Sequence, residues 1–563
     1  MTKTVGIGIQ DFETIITNDY FYIDKTNFIK EWWERGDSVT LITRPRRFGK
    51  TLNLNMLNYF FSNKHRGRSD LFENLSIWKE EKYRQLQGTY PVISLSFANI
   101  KETTFEPTKF QICQLIRMSY NDYDFLTESD KLSESEKELF QKLKHHMQDS
   151  EAIMAIHYLS KWLYKYYGKK VIILLDEYDT PMQEAYINGY WDELVYFTRS
   201  LFNSTFKTNP YLEKGLMTGI TRISKESIFS DLNNLQVVTT TSNKYETAFG
   251  FTEEEVFEAL DEFGLSKEKP GVKQWYDGFI FGKHTDIYNP WSVLNFLDNR
   301  IYDTYWANTS SNRLVGKLIR EGNRDIKETF ETLLKGKNIR CPIDEQIVYS
   351  ELDENESAIW SLLVASGYLK VLGYERKELL LFGQEAMYEL TVTNHEVLHM
   401  FHGMVRGWFG RTKKNYNDFV KAMLRGNVKE MNAYMNRVAR EIFSYFDSGK
   451  KPSDEAPERF YHGFVLGLIV DLSTEYVVTS NRESGFGRYD VMIEPKDIKK
   501  DAFLLEFKVH DPDDEKDLKD TVQSALKQIA EKQYETSLIA KGICKENIRK
   551  YGFAFEGKTI LIG

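Results

Sequence analysis

Cysteine is scarce in this chain: Cys113, Cys341 and Cys544 are the three in 563 residues, far apart and without metal-ligand spacing. A disulfide framework is thereby excluded, and a reducing compartment is the natural setting. Long apolar runs are missing as well. Phe464 to Val470 is among the more apolar stretches, and it falls far below the roughly 18 residues that cross a bilayer. The start, Met1 to Gly8, lacks the apolar core of a signal peptide. These absences predict a cytoplasmic protein with no membrane partner. Excess positive charge is also absent, and the formal net charge of −9 argues against a protein coated in nucleic acid. It leaves room for a local basic groove. The 41% hydrophobic and 28% charged residues are ordinary for a globular protein, the 14% aromatic content argues against disorder, and 563 residues suffice for two to four domains.

One stretch stands out, Arg44-Pro45-Arg46-Arg47-Phe48-Gly49-Lys50-Thr51. It follows the β-like Val39 to Thr43 and leads into the helix-like Leu52 to Phe61. Strand, tight loop, Gly-Lys-Thr and helix form the context of a phosphate-binding P-loop. Backbone N–H groups at a helix start cradle anionic oxygens, which assigns Arg47, Phe48 and Gly49 to the cradle. Lys50 would reach the β- and γ-phosphates of ATP, and the Thr51 hydroxyl would bind Mg²⁺. Arg44 departs from the pattern, because it stands where a glycine would adopt backbone angles costly to arginine. Taken alone, the stretch could also be a basic turn before an amphipathic helix.

A second segment weighs against that alternative. Lys170 to Asp179 is an apolar run ending in acids, as in a parallel strand buried on both faces. Ligands bind at such strand ends. Asp176 would hold Mg²⁺ opposite Thr51, and Glu177 could polarise the attacking water. The bland reading is a strand followed by a solvated acidic turn. Pro91 to Phe97 reads as a strand between the two motifs, and with the acidic pair it points to the hydrolysing branch of P-loop ATPases. Lys214 to Ile220 reads as a further core strand; Thr218 at its end could sense the γ-phosphate and Arg222 neutralise its charge. Arg222 could equally pair with Asp231 or Glu226.

Phe21-Tyr22-Ile23-Asp24-Lys25-Thr26, the Arg44 to Thr51 loop and Leu175 to Asp179 together resemble the bacterial AAA-ATPase-like family, over about residues 5 to 240. Thr218 to Lys225 looks like its later core segment. Members typically carry Arg-Pro-Arg-Arg-Phe-Gly-Lys-Ser/Thr, so within that family Arg44 is ordinary. The resemblance implies an ATPase of the AAA/ASCE type and names no substrate.

The middle of the chain is less specific. Thr252 is placed to cap an amphipathic helix from Glu253, with acids in its first turn. The aromatic turns near Tyr276 and Tyr288 suit a helical lid more than a ligand site. A helix over Ser357 to Ala365 is followed by strands at Gly367 to Leu372, Leu379 to Phe382 and Tyr388 to Val392, compatible with a winged-helix module or a helical spacer. Lys413, Lys414, Lys421 and Arg425 form a mildly basic helical region that reads as a solvated face. Ser448 to Asp454 is a plausible linker.

The C-terminal part carries a separate constellation. Gly487 to Ile493 is a strand with Asp490 at its start, and Ala502 to Val509 holds Glu506 and Lys508. Period-two alternation puts Glu506 and Lys508 on one face and Phe507 in the core. Two carboxylates can hold Mg²⁺ or Mn²⁺, and the lysine can orient a water, which is the logic of phosphodiester hydrolysis. An edge strand with alternating charges would look the same. Flanking it are a helix over Pro457 to Ile469 bearing Glu458 and His462, a strand at Glu475 to Val478, a helix with Gln528, Lys532 and Tyr534, and final strands at Tyr551 to Phe555 and Lys558 to Ile562.

Gly487 to Asp490, Glu506-Phe507-Lys508 and the Ala525 to Ile529 helix resemble the PD-(D/E)XK nuclease superfamily over about residues 450 to 560. That resemblance implies a restriction-endonuclease-like α/β fold, with Asp490 and Glu506 as metal ligands and Lys508 as the catalytic lysine. Glu458 becomes an auxiliary acid and His462 a structural residue; Gln528 contacts DNA or is simply solvated. Tyr489 replaces the usual proline. The expected architecture is α/β throughout: an ATPase domain over 1–245, a lid over 246–340, a winged-helix or helical spacer over 341–450 and a nuclease-like domain over 451–563. The expected function is ATP-dependent or ATP-regulated DNA cleavage, with RNA as an open alternative substrate. A homo-oligomer is an open option, since ATPase rings take an arginine from a neighbour. The competing reading is a regulatory or scaffold ATPase whose C-terminal fold binds nucleic acid or a partner without cutting, and a nucleotide kinase fits less well.

Overall fold

The computed structural model describes residues 3–221, 229, 232–307, 315–316, 318–319, 324–344, 356–375, 386–408, 416–442, 465, 469, 472, 475–484, 487–512, 514–556 and 559–563. The chain forms two compact units, Met1–Ile319 with Thr332–Met400, and Arg320–Glu331 with Phe401–Gly563. No helix among the described residues is long and apolar enough to cross a membrane.

The first unit is built on β1 (Val39–Thr43), β2 (Val92–Ser96), β3 (Val171–Asp176), β4 (Leu212–Gly219) and β5 (Leu235–Val238). All pair in parallel, in the order β2-β3-β4-β1-β5. Both β1 and β3 are buried along their whole length, which is why they read as mostly apolar runs bounded by turns. The strand between β1 and β3 in space is β4. The strand expected from Pro91 to Phe97 forms as β2 and lies at the sheet edge, beyond β3. Intervening in sequence and intervening in the sheet are therefore different strands.

A small antiparallel sheet of β6 (Phe251–Thr252), β7 (Phe279–Phe281) and β8 (His284–Tyr288) follows. It shares a core with the helices Glu253–Glu262, Lys269–Tyr276 and Pro290–Asn299 through Val256, Leu260, Tyr276, Tyr288 and Phe296. Thr252 caps the first helix as expected: its hydroxyl accepts from Glu255 N at 3.3 Å, and the Glu255 carboxylate accepts from Thr252 N at 2.8 Å. Tyr276 and Tyr288 are fully buried in this core. Farther on, β9 (Ile339–Pro342), β10 (Leu369–Tyr374) and β11 (Met387–Val392) form an antiparallel sheet in the order β10-β11-β9, with the helix Glu356–Ala365 before the hairpin. The expected strand Leu379 to Phe382 lies outside the described residues.

A buried carboxylate ties these pieces together. Glu396, fully enclosed near the start of the helix His395–Trp408, accepts from Ser292 Oγ at 2.8 Å, Trp306 N at 2.6 Å and Ala307 N at 3.3 Å. Burial pushes its pKa up to about 7, against the pull of these donors.

The second unit holds β12 (Tyr476–Ser484), β13 (Gly487–Pro495), β14 (Ala502–Val509), β15 (Ile548–Glu556) and β16 (Thr559–Ile562), paired in that order. Only β14 and β15 run parallel. Val491, Ile493, Phe503, Leu505, Phe507, Phe553 and Phe555 share a core with the helices Tyr416–Arg425 and Val428–Ile442, which lie within the span expected as a spacer, 341–450. These helices seal the sheet edge. Asn432 and Asn436, one turn apart, each donate to and accept from the backbone of β16, at Ile562 and Ile560, over 2.6 to 3.0 Å. The helix Leu518–Glu531 lies close over β15, because a Cβ on Gly552 would stand 2.8 Å from Val522 O. Of the expected helix Pro457 to Ile469, Val465 and Ile469 are described, both helical and fully buried.

The Glu396 carboxyl has a definite sign in pH dependence. Its ordinary value is 4.5 and its folded value about 7, so its contribution to stability is present below pH 4.5 and lost as pH rises through 7. We expect Glu396→Gln, which mimics the protonated form, to gain up to about 3 kcal/mol on wild type between pH 5 and pH 8. Urea unfolding at both pH values checks this. Asp277, likewise raised to about 7, titrates in the same window, so the quantity to read is the difference between variant and wild type.

Candidate active sites

The loop after β1 turns on two left-handed residues, Arg47 at φ 66° and Gly49 at φ 81°. Phe48 between them has negative φ, and such alternation aims successive N–H groups into a nest suited to an anion. The helix Lys50–Phe61 starts here, and its first N–H groups have no partner within the helix. The strain expected of an arginine at position 44 is absent, because Arg44 is not among the left-handed residues. Instead its guanidinium is fully buried, donating to Thr43 O at 3.0 Å, Thr239 O at 2.7 Å and Lys244 O at 3.3 Å, over the Phe281 ring at 4.5 Å. Burial lowers its pKa to about 9. Arg44 holds the loop to the 239–245 segment and stays out of the cradle. Arg47 is exposed and lies 4.4 Å over the Trp291 ring. The Phe48 ring packs edge-on against Phe279 and Phe281, so only its backbone is available to a ligand.

Lys50 is 5% exposed, and its ammonium donates to Arg44 O and Pro45 O, both at 2.8 Å. Burial lowers its pKa, while Glu177, Asp176 and Asp179 pull the other way. Asp176 ends β3 between two hydroxyls: Thr51 Oγ1 donates to Oδ2 at 2.7 Å and Thr218 Oγ1 to Oδ1 at 2.5 Å. Burial raises the Asp176 pKa, and these hydroxyls oppose the shift. A hydroxyl and a carboxylate in contact at a helix start form a hard-oxygen pair that fits Mg²⁺. Glu177 takes a left-handed φ of 49°, a strained conformation for this residue, and accepts from Thr180 Oγ1 at 3.1 Å. Arg222 lies outside the described residues.

In the second unit, the β13–β14 ladder runs from Ile493↔Phe503 to Val491↔Leu505. Its continuation sets Asp490 opposite Glu506, and there the side chain replaces the backbone: Phe507 N donates to Asp490 Oδ2 at 2.8 Å. Glu506 is 3% exposed, with Lys508 half-buried two residues on and Phe507 in the opposite core, 4.9 Å from Phe553. Gln528 reaches across from the helix Leu518–Glu531 and donates from Nε2 to Glu506 Oε1 and to the Tyr534 hydroxyl at 3.2 Å. The carboxylates of Asp490 and Glu506 at one ladder end are a donor set that fits a hard divalent ion. Glu458 and His462 lie outside the described residues.

Two similarities decide what these sites belong to. Residues 6–229 match the family described as predicted AAA-ATPase (AAA-ATPase-like), and residues 456–563 match the PD-(D/E)XK nuclease superfamily. The chain joins an AAA-ATPase-like domain to a PD-(D/E)XK nuclease superfamily domain. A protein of Azotobacter chroococcum mcd 1, described as an uncharacterized protein in the vnfD 5' region, is 24% identical over 397 residues, covering 70% of this chain and 68% of its own length. The two domains point to ATPase and nuclease-type activity.

Sequence reasoning missed two features. In the AAA-ATPase-like domain, fully buried Asp179 accepts from Ile220 N and Thr221 N at 2.9 Å and Thr221 Oγ1 at 3.0 Å, so it fixes the chain that follows β4. Its place in Asp176-Glu177-Tyr178-Asp179 was the available signal. In the nuclease superfamily domain, buried Tyr534 receives the Gln528 amide. The Tyr22 to Thr26 motif is a clasp outside the phosphate loop: Asp24 accepts from Thr26 and Ser76, and Lys25 bridges Thr247 O at 2.8 Å and Glu255 at 2.7 Å. Asp179→Ala, which orphans two buried N–H groups, should cost about 2–4 kcal/mol in urea unfolding, and Asp179→Asn less.

Proposed function

We propose that this protein binds and hydrolyses ATP in its first unit and cleaves DNA phosphodiesters in its second, with nucleotide state controlling cleavage. The observation that carries the reading is the presence, in one chain, of Thr51 bonded to Asp176 after a phosphate loop and of Asp490 opposite Glu506 in the register at the end of one ladder. In the first unit, Lys50 would leave the Arg44 and Pro45 carbonyls for phosphate oxygens, Thr218 would orient Asp176, and Glu177 would take the water's proton. Magnesium bound by Thr51 and Asp176 would neutralise charge on the β- and γ-phosphates.

In the second unit, Lys508 shares a strand face with Glu506 and can orient water toward a phosphate or steady the charge of its transition state. Gln528 would hold Glu506 in place or meet the substrate strand. Magnesium or manganese held by Asp490 and Glu506 would polarise the phosphodiester.

The test pairs two variants in the full chain with linear and supercoiled DNA, RNA, Mg²⁺ or Mn²⁺, and ATP. Wild type should release phosphate from ATP and cut DNA; Lys50→Ala should lose at least about 100-fold in phosphate release. Asp490→Ala should lose at least about 100-fold in cleavage while ATP hydrolysis persists. Strand scission unchanged in Asp490→Ala would end the nuclease assignment. DNA binding without scission by wild type would favour the regulatory or scaffold reading, and cleavage indifferent to Lys50→Ala would separate the two sites.

A further inference from the structure

The phosphate loop carries three arginines, and their surroundings differ. Arg44 is enclosed among backbone carbonyls, and Arg47 lies on the face of Trp291. Arg46 has neither kind of partner. Its backbone is pinned on both sides: Lys50 donates to Pro45 O at 2.8 Å, and the fully buried Asn289 donates to Arg46 O at 3.3 Å. Its half-buried side chain leaves the loop and reaches Gln183 Oε1 at 3.4 Å. Gln183 sits on the helix Thr180–Asn188 that begins straight after the acidic turn, with its N–H on Asp179 O at 3.0 Å. The guanidinium thus bridges from the phosphate loop to the segment following Asp176 and Glu177.

The Arg46 guanidinium leaves the same loop whose carbonyls hold the Lys50 ammonium. Among the described residues Arg46 makes no ion pair, and its one contact to Gln183 is long and neutral. Such a bond is readily exchanged for a charge-assisted one. The carboxylates of the acidic turn have other partners: Asp176 accepts from Thr51 and Thr218, Glu177 from Thr180, and Asp179 from Ile220 and Thr221.

We propose that Arg46 contacts the terminal phosphate of the bound nucleoside triphosphate, supplying within one chain the cation that separates triphosphate from diphosphate and steadies the transferred group. The inference rests on the ATP reading above. Water forms the new P–O bond as the bridging bond to the β-phosphate breaks. The bond's electron pair leaves on ADP, and the water's proton passes to Glu177 and then to solvent. Arg46 holds the equatorial oxygens through this exchange, and Gln183 keeps its guanidinium aimed between transfers.

The experiment uses the full chain as wild type, Arg46→Ala, Arg46→Lys, Gln183→Ala and Lys50→Ala. Steady-state phosphate release gives kcat and KM for ATP. Competition against a fluorescent nucleotide without divalent metal gives ATP and ADP affinities free of turnover. Arg46→Ala should lower kcat about 100-fold with ADP affinity within about threefold of wild type, and should abolish the preference for ATP over ADP. Arg46→Lys should recover part of the preference and little of the kcat, because a point charge replaces a fork. Gln183→Ala should lower kcat less than Arg46→Ala does, and Lys50→Ala should weaken both nucleotides. Equal loss of ATP and ADP binding in Arg46→Ala, or an unchanged kcat, overturns the proposal and leaves the ATP reading standing. If wild type binds neither nucleotide, the ATP reading itself fails. Should wild type bind nucleotide without hydrolysing it, the ATP-over-ADP preference alone decides on Arg46.

Discussion

Charge buried where β1 and β3 end is the constraint on which the nucleotide half of this protein depends. Arg44, Lys50, Asp176 and Asp179 are each at least 95% enclosed, and an unpaired charge in such a place costs several kcal/mol. Each therefore needs partners, and the partners come from separate elements. Arg44 takes carbonyls from the 239–245 segment, Lys50 takes those of the loop itself, Asp176 takes hydroxyls from the helix start and β4, and Asp179 takes the chain after β4. The same bonds that make burial tolerable join β1, β3 and β4 into one phosphate-facing end.

The second unit solves a different problem. Its sheet ends in a strand whose outer edge would otherwise be an open template, and Asn432 and Asn436 occupy that edge from a helix. With both faces covered, the interruption is local: β13 and β14 stop exchanging backbone bonds where Asp490 turns its carboxylate onto Phe507 N. The Asp490 carboxylate thus takes a backbone N–H beside Glu506, at the point where the ladder ends.

Much of this was legible beforehand. Val171 to Asp176 declared itself as a strand buried on both faces, Thr252 as a cap, and Glu506-Phe507-Lys508 as an alternating strand with its aromatic inward, because each depends on neighbours within a few residues. What escaped were relations across long separations. The 195-residue link from Arg44 to Thr239 leaves no local pattern, so an arginine in a glycine's place looked like strain when it is a buried anchor. Nor does local sequence distinguish a strand that intervenes in the chain from one that intervenes in the sheet. The helices over 416–442 looked like a solvated spacer from their lysines, because their apolar face has meaning only against a sheet contributed by residues 491–562.

By itself the sequence determined the local chemistry: a Gly-Lys-Thr at a helix start, an acidic pair closing an apolar strand, and two carboxylates with a lysine in alternating register. Backbone geometry and side-chain periodicity are short-range, so these needed no fold to be read. The tertiary structure alone decided which charges meet. It sent Arg44 inward, laid Arg47 on Trp291, drew Arg46 to Gln183 on the helix after the acidic turn, and set Asp490 across from Glu506 in the strand register. Desolvation is the reason: the fate of a charge depends on what surrounds it in space, and the chain supplies those surroundings from segments that are remote in sequence.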